Sequence, residues 1–134
     1  MGGQQAPRHM IVVGMGWQSA ALAEHALELV VQSLRMVGVC APDYIAVPDF
    51  KNADTLPQNV AHRWGAGVLW VTRTQIKQMQ AACPTASSTV MRHVGVASVA
   101  EACALAGAGD GARLCLSRQV FCGVTCAVAE GDRK

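Results

Sequence analysis

Met10-Ile11-Val12-Val13-Gly14-Met15-Gly16-Trp17 is the stretch that decides the architecture. Its apolar row from Met10 to Val13 is unbroken and stops at glycine. A run that short and continuous reads as a strand buried on both faces. Gly14 and Gly16 then read as a turn. A helix is expected from about Ser19 to Arg35, because Leu22, Ala26, Leu29, Val30, Ser33 and Val37 recur at helical spacing. Ser19 suits its N-cap, Glu24 its early turns, and Gly38 its end.

Outward from this unit the pattern repeats. Tyr44-Ile45-Ala46-Val47 reads as a second strand closed by Pro48, followed by a turn-rich loop from Asp49 to Asp54. A helix is expected from about Asp54 to Trp64, with Pro57 in its first turn, where proline is tolerated. Val68-Leu69-Trp70-Val71-Thr72 reads as a third buried strand. Thr72 or Thr74 would cap a helix running to about Ala82. A short helix fits Thr89–His93. Ser98 with Glu101 three residues on has the capping-box pattern before Val99-Ala100-Glu101-Ala102-Cys103-Ala104-Leu105-Ala106. Gly107, Gly109 and Gly111 read as a flexible turn. Arg113–Ser117 and Val124–Ala129 read as two strands too close in sequence for a helix between them, and hence as antiparallel neighbours. The fold expected is a single three-layer α/β/α domain with a mixed, mostly parallel sheet of about five strands. No internal repeat or linker divides residues 10–134. Residues 1–9 are polar and tag-like, so the native start is expected near Met10.

Composition narrows the function. The chain has 134 residues, 51% of them hydrophobic and 15% charged, which excludes a disordered chain. At this length a core can bury roughly two thirds of the unfolded surface, so no disulfide or metal is needed to fold. The formal charge is +2 and the basic residues are scattered, arguing against nucleic-acid binding. No segment approaches the roughly 20 apolar residues of a membrane span, and the start lacks an apolar signal region. A cytoplasmic protein with six reduced cysteines is the expectation.

The chemistry-bearing residues are few. Gly14-x-Gly16 before a helix suits either a phosphate- or carboxylate-binding turn or a tight turn without ligand. The dinucleotide fingerprint is incomplete, because Ser19 stands where its third glycine or alanine belongs. Trp17, at the carboxyl end of the first strand, is either a wall for a planar ligand or packing over the helix start. Trp64 and Trp70 read as core or helix-face residues. His9, His25, His62 and His93 show no metal spacing, and neither a metal nor a cofactor is expected. Cys122-x-x-x-Cys126 reads as two small residues on one strand face. No triad or carboxylate pair can be read from spacing.

Four segments in order carry a resemblance. They are Val13-Gly14-Met15-Gly16, Pro48-Asp49-Phe50-Lys51, Val94-Gly95-Val96-Ala97-Ser98-Val99-Ala100-Glu101-Ala102, and Phe121-Cys122-Gly123-Val124-Thr125-Cys126-Ala127-Val128-Ala129. The third resembles the pattern G-[TV]-x-S-V-A-E-A and the fourth a closing V-T-x-A-[IV]-A strand. Together they resemble the CobE/CbiG C-terminal domain family of cobalamin biosynthesis. The resemblance covers nearly all of residues 10–130 and looks like the stand-alone CobE type. In CbiG proteins the family opens the lactone ring of a cobalt-precorrin. For the stand-alone type the resemblance implies a role in corrin-ring synthesis without a settled reaction. Trp17, Gln18, Ser19, Ala20 and Ala21 stand where the family usually has Cys, basic residues and Gly-Thr. Before the last strand the basic pair is reduced to Arg118, with Val120 where a lysine is common.

Two function classes follow. One is a protein that binds a precorrin or corrinoid intermediate and acts on it or carries it. The other is an accessory protein that docks on a cobalamin-pathway enzyme without catalysis of its own. A flat macrocycle ringed by carboxylates wants an apolar wall, helix-start N–H groups and a few cations. The residues expected to contact it are Gly14, Gly16, Trp17, Gln18, Lys51, Ser98, Glu101 and Arg118. Ser98 and Glu101 also suit a helix cap, and Lys51 a solvated loop.

Overall fold

The computed structural model describes residues 9–51, 54–80, 99–109 and 111–132. Strand β1 spans His9–Trp17, helix α1 Ala23–Met36, strand β2 Tyr44–Pro48, helix α2 Leu56–His62, strand β3 Gly67–Val71 and helix α3 Arg73–Gln80. Helix α4 spans Val99–Ala108, strand β4 Arg113–Phe121 and strand β5 Val124–Asp132. A 3-10 turn, Asp49–Lys51, follows β2. The short helix expected at Thr89–His93 lies outside the described residues.

The sheet order is β3-β2-β1-β5-β4. β1, β2 and β3 pair in parallel, while β5 pairs antiparallel with both β1 and β4. Four strands therefore run one way and β5 alone runs against them, a mixed and mostly parallel five-stranded sheet. At the amino ends of the parallel strands, Asp43 joins β1 to the start of β3. Its Oδ2 accepts from Ile11 N at 2.8 Å, its N–H donates to Ile11 O, and its carbonyl accepts from Gly67 N.

Strand alternation assigns β1 to two layers. Val13, Met15 and Trp17 join Ile45, Val47 and Val128 beneath α1 and α2. Val12 joins Ala46, Ala129 and Val71 beneath α3 and α4. This second layer is made of small residues, and α4 lies close against the sheet. A Cβ on Gly107 would come within 2.9 Å of Val12 and 3.0 Å of Ala46. Every α4 side chain from Ala100 to Leu105 is buried, since α4 is covered by the sheet on one side and α3 on another.

Three expectations are corrected. β1 does not stop at Gly14 but continues to Trp17, because β5 pairs with it residue for residue from His9↔Asp132 to Trp17↔Val124. α1 begins at Ala23 with Leu22 as N-cap, so Ser19 is in a turn, and Leu22 is exposed. Gly107 belongs to α4, where the absence of a side chain lets helix and sheet approach. Thr72, in contrast, does cap α3: its Oγ1 accepts from Gln75 N at 3.1 Å, and Gln75 Oε1 accepts from Thr72 N at 2.9 Å.

Candidate functional site

Parallel strands bring their carboxyl ends to one rim, and the helices that follow them begin there. α4 obeys the same rule: Val99 lies near Gly16 and Ala108 near Gly131, so it runs against β1 with its first turn at the rim. The starts of all four helices α1 to α4 thus face one end of the sheet, which concentrates N–H groups and partial positive charge there. The chain leaves β1 over the α1 side and moves toward β3, then returns over the α4 side to β4. The crevice of an open α/β sheet opens where these directions part, beside the tip of β1.

At that point Gly16 is half-buried. Among the described residues a Cβ there would meet only Thr125 Oγ1 at 3.1 Å and Val99 Cγ1 at 3.9 Å. Thr125 Oγ1 donates to Gly16 O at 3.4 Å. Gln18 is exposed next to it, and its N–H donates to Gly123 O at 2.9 Å, tying the β1 tip to the β4–β5 turn. That turn is Cys122-Gly123, both at positive φ (50° and 78°). Phe121 meets the His25 ring edge-on at 5.6 Å, and Leu22 lies one turn earlier on α1. Leu22 and Phe121 are exposed apolar residues on the α1 side of this rim, and Val120 is exposed on the other face of β4.

The other predicted residues fall differently. Gly14 is below the rim and fully packed, since a Cβ would lie 2.0 Å from Ala100 O and 2.4 Å from Ala104 N. It serves the contact of β1 with α4, and the reading of Gly14-x-Gly16 as a strand-to-helix turn is corrected. Trp17 is 6% exposed, in the core beneath α1 and α2, and its Nε1–H donates to Asp54 Oδ2 at 2.6 Å. It is the packed Trp, not an open wall. Glu101 is fully buried, and its Oε2 accepts from Arg118 N at 3.0 Å. Arg118 falls where β4 carries one extra residue between the pairs Leu116↔Val128 and Gln119↔Cys126. The bulge frees an N–H from the ladder, and Glu101 takes it. Glu101 and Arg118 therefore join α4 to β4. Lys51 ends the 3-10 turn after β2, at the same rim as Gly16 and Gln18. Ser98 lies outside the described residues.

Several rim residues were not singled out from sequence. The Cys122-Gly123 turn between two apolar runs carries a two-residue hairpin signal. Asp54 carries none beyond its place before α2, where its Oδ1 accepts from Leu56 N at 3.0 Å. Among the described residues no three His, Cys, Asp or Glu groups stand close enough for a metal. Cys126 is buried beside Ser33, 3.0 Å from its hydroxyl. Burial pushes its thiol up to about 11, against the lowering effect of the Ser33 bond. Burial thus favours the neutral thiol over the nucleophilic thiolate. No helix among the described residues is long and apolar enough to cross a membrane.

The profile of the family described as cobalamin synthesis G C-terminus matches residues 11–129. The chain belongs to the cobalamin synthesis G C-terminus family. It is accordingly a protein of cobalamin biosynthesis. Solved structures agree. CobE, from the cobalamin (vitamin B12) biosynthetic pathway, superposes with a TM-score of 0.80 at 24% identity, covering 96% of this chain and 95% of CobE. The cobalamin biosynthesis protein chiG from Agrobacterium tumefaciens str. C58 gives 0.72 at 27%, covering 92% and 100%. A cobalamin biosynthesis protein G homologue from Sulfolobus solfataricus gives 0.72 at 20%, covering 92% of this chain but 37% of that one. A comparison with curated sequences finds no significant match. The family match spans every element from β1 to β5, so the rim belongs to the family fold and not to an insertion.

Proposed function

We propose that the chain binds a precorrin or corrinoid intermediate at the rim beside β1, in the cytoplasm, and acts on it or hands it on. One observation carries the reading: the half-open floor at Gly16, with the first turn of α4 on one side and the Gln18–Gly123 tie on the other. Backbone N–H groups at helix starts suit the carboxylates of such a ring. The exposed Leu22 and Phe121, on the α1 side of the same rim, offer apolar surface for its ring. Membership of a cobalamin-biosynthesis family supports this ligand class.

Titration of the purified chain with precorrin intermediates tests this, read by absorbance, co-elution and product mass. A spectral shift with co-elution and unchanged mass indicates a binding or carrier protein. A new mass indicates an enzyme. Unchanged spectra and elution across the series would remove the reading.

The exposed apolar pair Leu22 and Phe121 also favours a second reading, an accessory protein docked on a pathway enzyme. Co-purification with that enzyme, and no affinity for a free corrinoid, would favour it.

A further inference from the structure

Arg73 is the first residue of α3, immediately after the tip of β3, and α3 has no acidic residue in its first turn. A cation at a helix start opposes the helix dipole, which favours an anion there. Its guanidinium lies over the Phe50 ring, 4.7 Å from the centroid. Phe50 sits in the 3-10 turn after β2 and is 49% exposed, an aromatic face that the core does not use. Among the described residues no carboxylate pairs with Arg73, Asp49 included; Arg113, by contrast, pairs with Glu130. A planar cation stacked on an aromatic face keeps its edge N–H groups free for a carboxylate. Strands are about 4.8 Å apart, so the β3 tip is roughly 10 Å from the β1 tip, on the same rim.

We infer that Arg73, held by Phe50, is a carboxylate subsite of this rim, gripping one acidic side arm of the macrocycle while the ring lies toward Gly16. The inference rests on the corrinoid-binding reading. Arg73 touches the ligand, and Phe50 positions Arg73.

The test compares cobyrinic acid, a corrin with free carboxylates, with cobinamide, in which they are amidated. The unsubstituted chain is expected to prefer cobyrinic acid. Arg73→Ala should weaken cobyrinic acid roughly tenfold, as expected for loss of one charge-assisted hydrogen bond, and leave cobinamide unchanged. It should also flatten the salt dependence of binding. Phe50→Leu should lose part of the preference, and nothing further in the Arg73→Ala background. Arg63→Ala is the control, because Arg63 lies over Trp64 at the far end of α2. Circular dichroism verifies folding of each variant. Equal binding of cobyrinic acid by the unsubstituted and Arg73→Ala chains overturns the subsite and leaves the corrinoid reading intact. No binding of either corrin by the unsubstituted chain removes both.

Discussion

Trp17 and Asp54 are joined across 37 residues of chain by one hydrogen bond of 2.6 Å, Nε1–H to Oδ2. The other oxygen of Asp54 accepts from Leu56 N at the start of α2. One carboxylate thus satisfies a buried indole and a helix end, and it fixes the β2–α2 loop against the β1 tip.

Asp54→Ala should destabilise the fold by about 2–4 kcal/mol, from loss of the charge-assisted bonds to the Trp17 indole and to Leu56 N. Asp54→Asn keeps one acceptor and should cost about half as much. Urea unfolding followed by far-ultraviolet circular dichroism measures both. A change below about 0.5 kcal/mol in Asp54→Ala would show that the bond contributes nothing.

Gly14 and Gly16 should respond to the same substitution in opposite ways. Gly14→Ala drives a methyl into the α4 backbone, which cannot yield without parting helix and sheet. A loss of at least about 3 kcal/mol is expected, visible as a collapse in soluble yield and Tm. Among the described residues Gly16→Ala meets only the Thr125 hydroxyl and Val99. It should fold with a Tm close to the parent, yet weaken corrinoid binding by filling the floor of the crevice. A Gly16→Ala chain with parental affinity would place the ligand elsewhere.

Cys126 should make stability fall in alkali. Its thiol is raised to about 11 in the folded chain, above the ordinary thiol range near 8.5. Below that range both folded and unfolded thiols are protonated, and the contribution is fully present. Between about 8.5 and 11 the unfolded thiol ionises first, so stability declines by roughly 3 kcal/mol in total. Urea midpoints measured from pH 7 to 11 give the slope, and Cys126→Ala should flatten it. In the native chain Cys126 and Cys103 should resist thiol reagents that label the exposed Cys40, Cys115 and Cys122.

The hairpin turn offers a gain. Cys122 holds φ 50°, a conformation that asparagine tolerates better than cysteine, and Gly123 follows at 78°. Cys122→Asn should raise stability by about 0.5–1 kcal/mol, and Gly123→Ala should lower it by about 1 kcal/mol. Thermal melts of both variants test the pair. A loss in Cys122→Asn together with a gain in Gly123→Ala would show that positive φ does not limit this turn.

Local patterning carried the element order. Buried strands appear as short apolar rows, such as Tyr44–Val47, because both faces are covered and no alternation is needed. The Thr72 cap was legible because its partner, Gln75, is three residues away. The course of β1 through Gly14 and Gly16 was not legible. Glycine in a row of apolar residues reads as a break, and only the β5 ladder holds it extended.

The candidate site divides along the same line. Gln18 and Lys51 reach the rim because strand ends do so in any parallel sheet, which sequence order already implies. Trp17 left the rim because alternation along β1 directs it beneath α1 and α2, where Asp54 meets its indole. Glu101 was absorbed by a bulge in β4 that depends on register with β5.

The sequence by itself determined the α/β class, the order of strands and helices, and the family, because these follow from hydrophobic runs and short motifs along the chain. Only the tertiary structure decided which glycine is packed and which is half-buried at the rim, which tryptophan and carboxylate the fold buries, and which arginine lies over an exposed aromatic ring. Those outcomes depend on pairs far apart in sequence, Gly14 with Ala104, Trp17 with Asp54, and Phe50 with Arg73, whose approach no local pattern encodes.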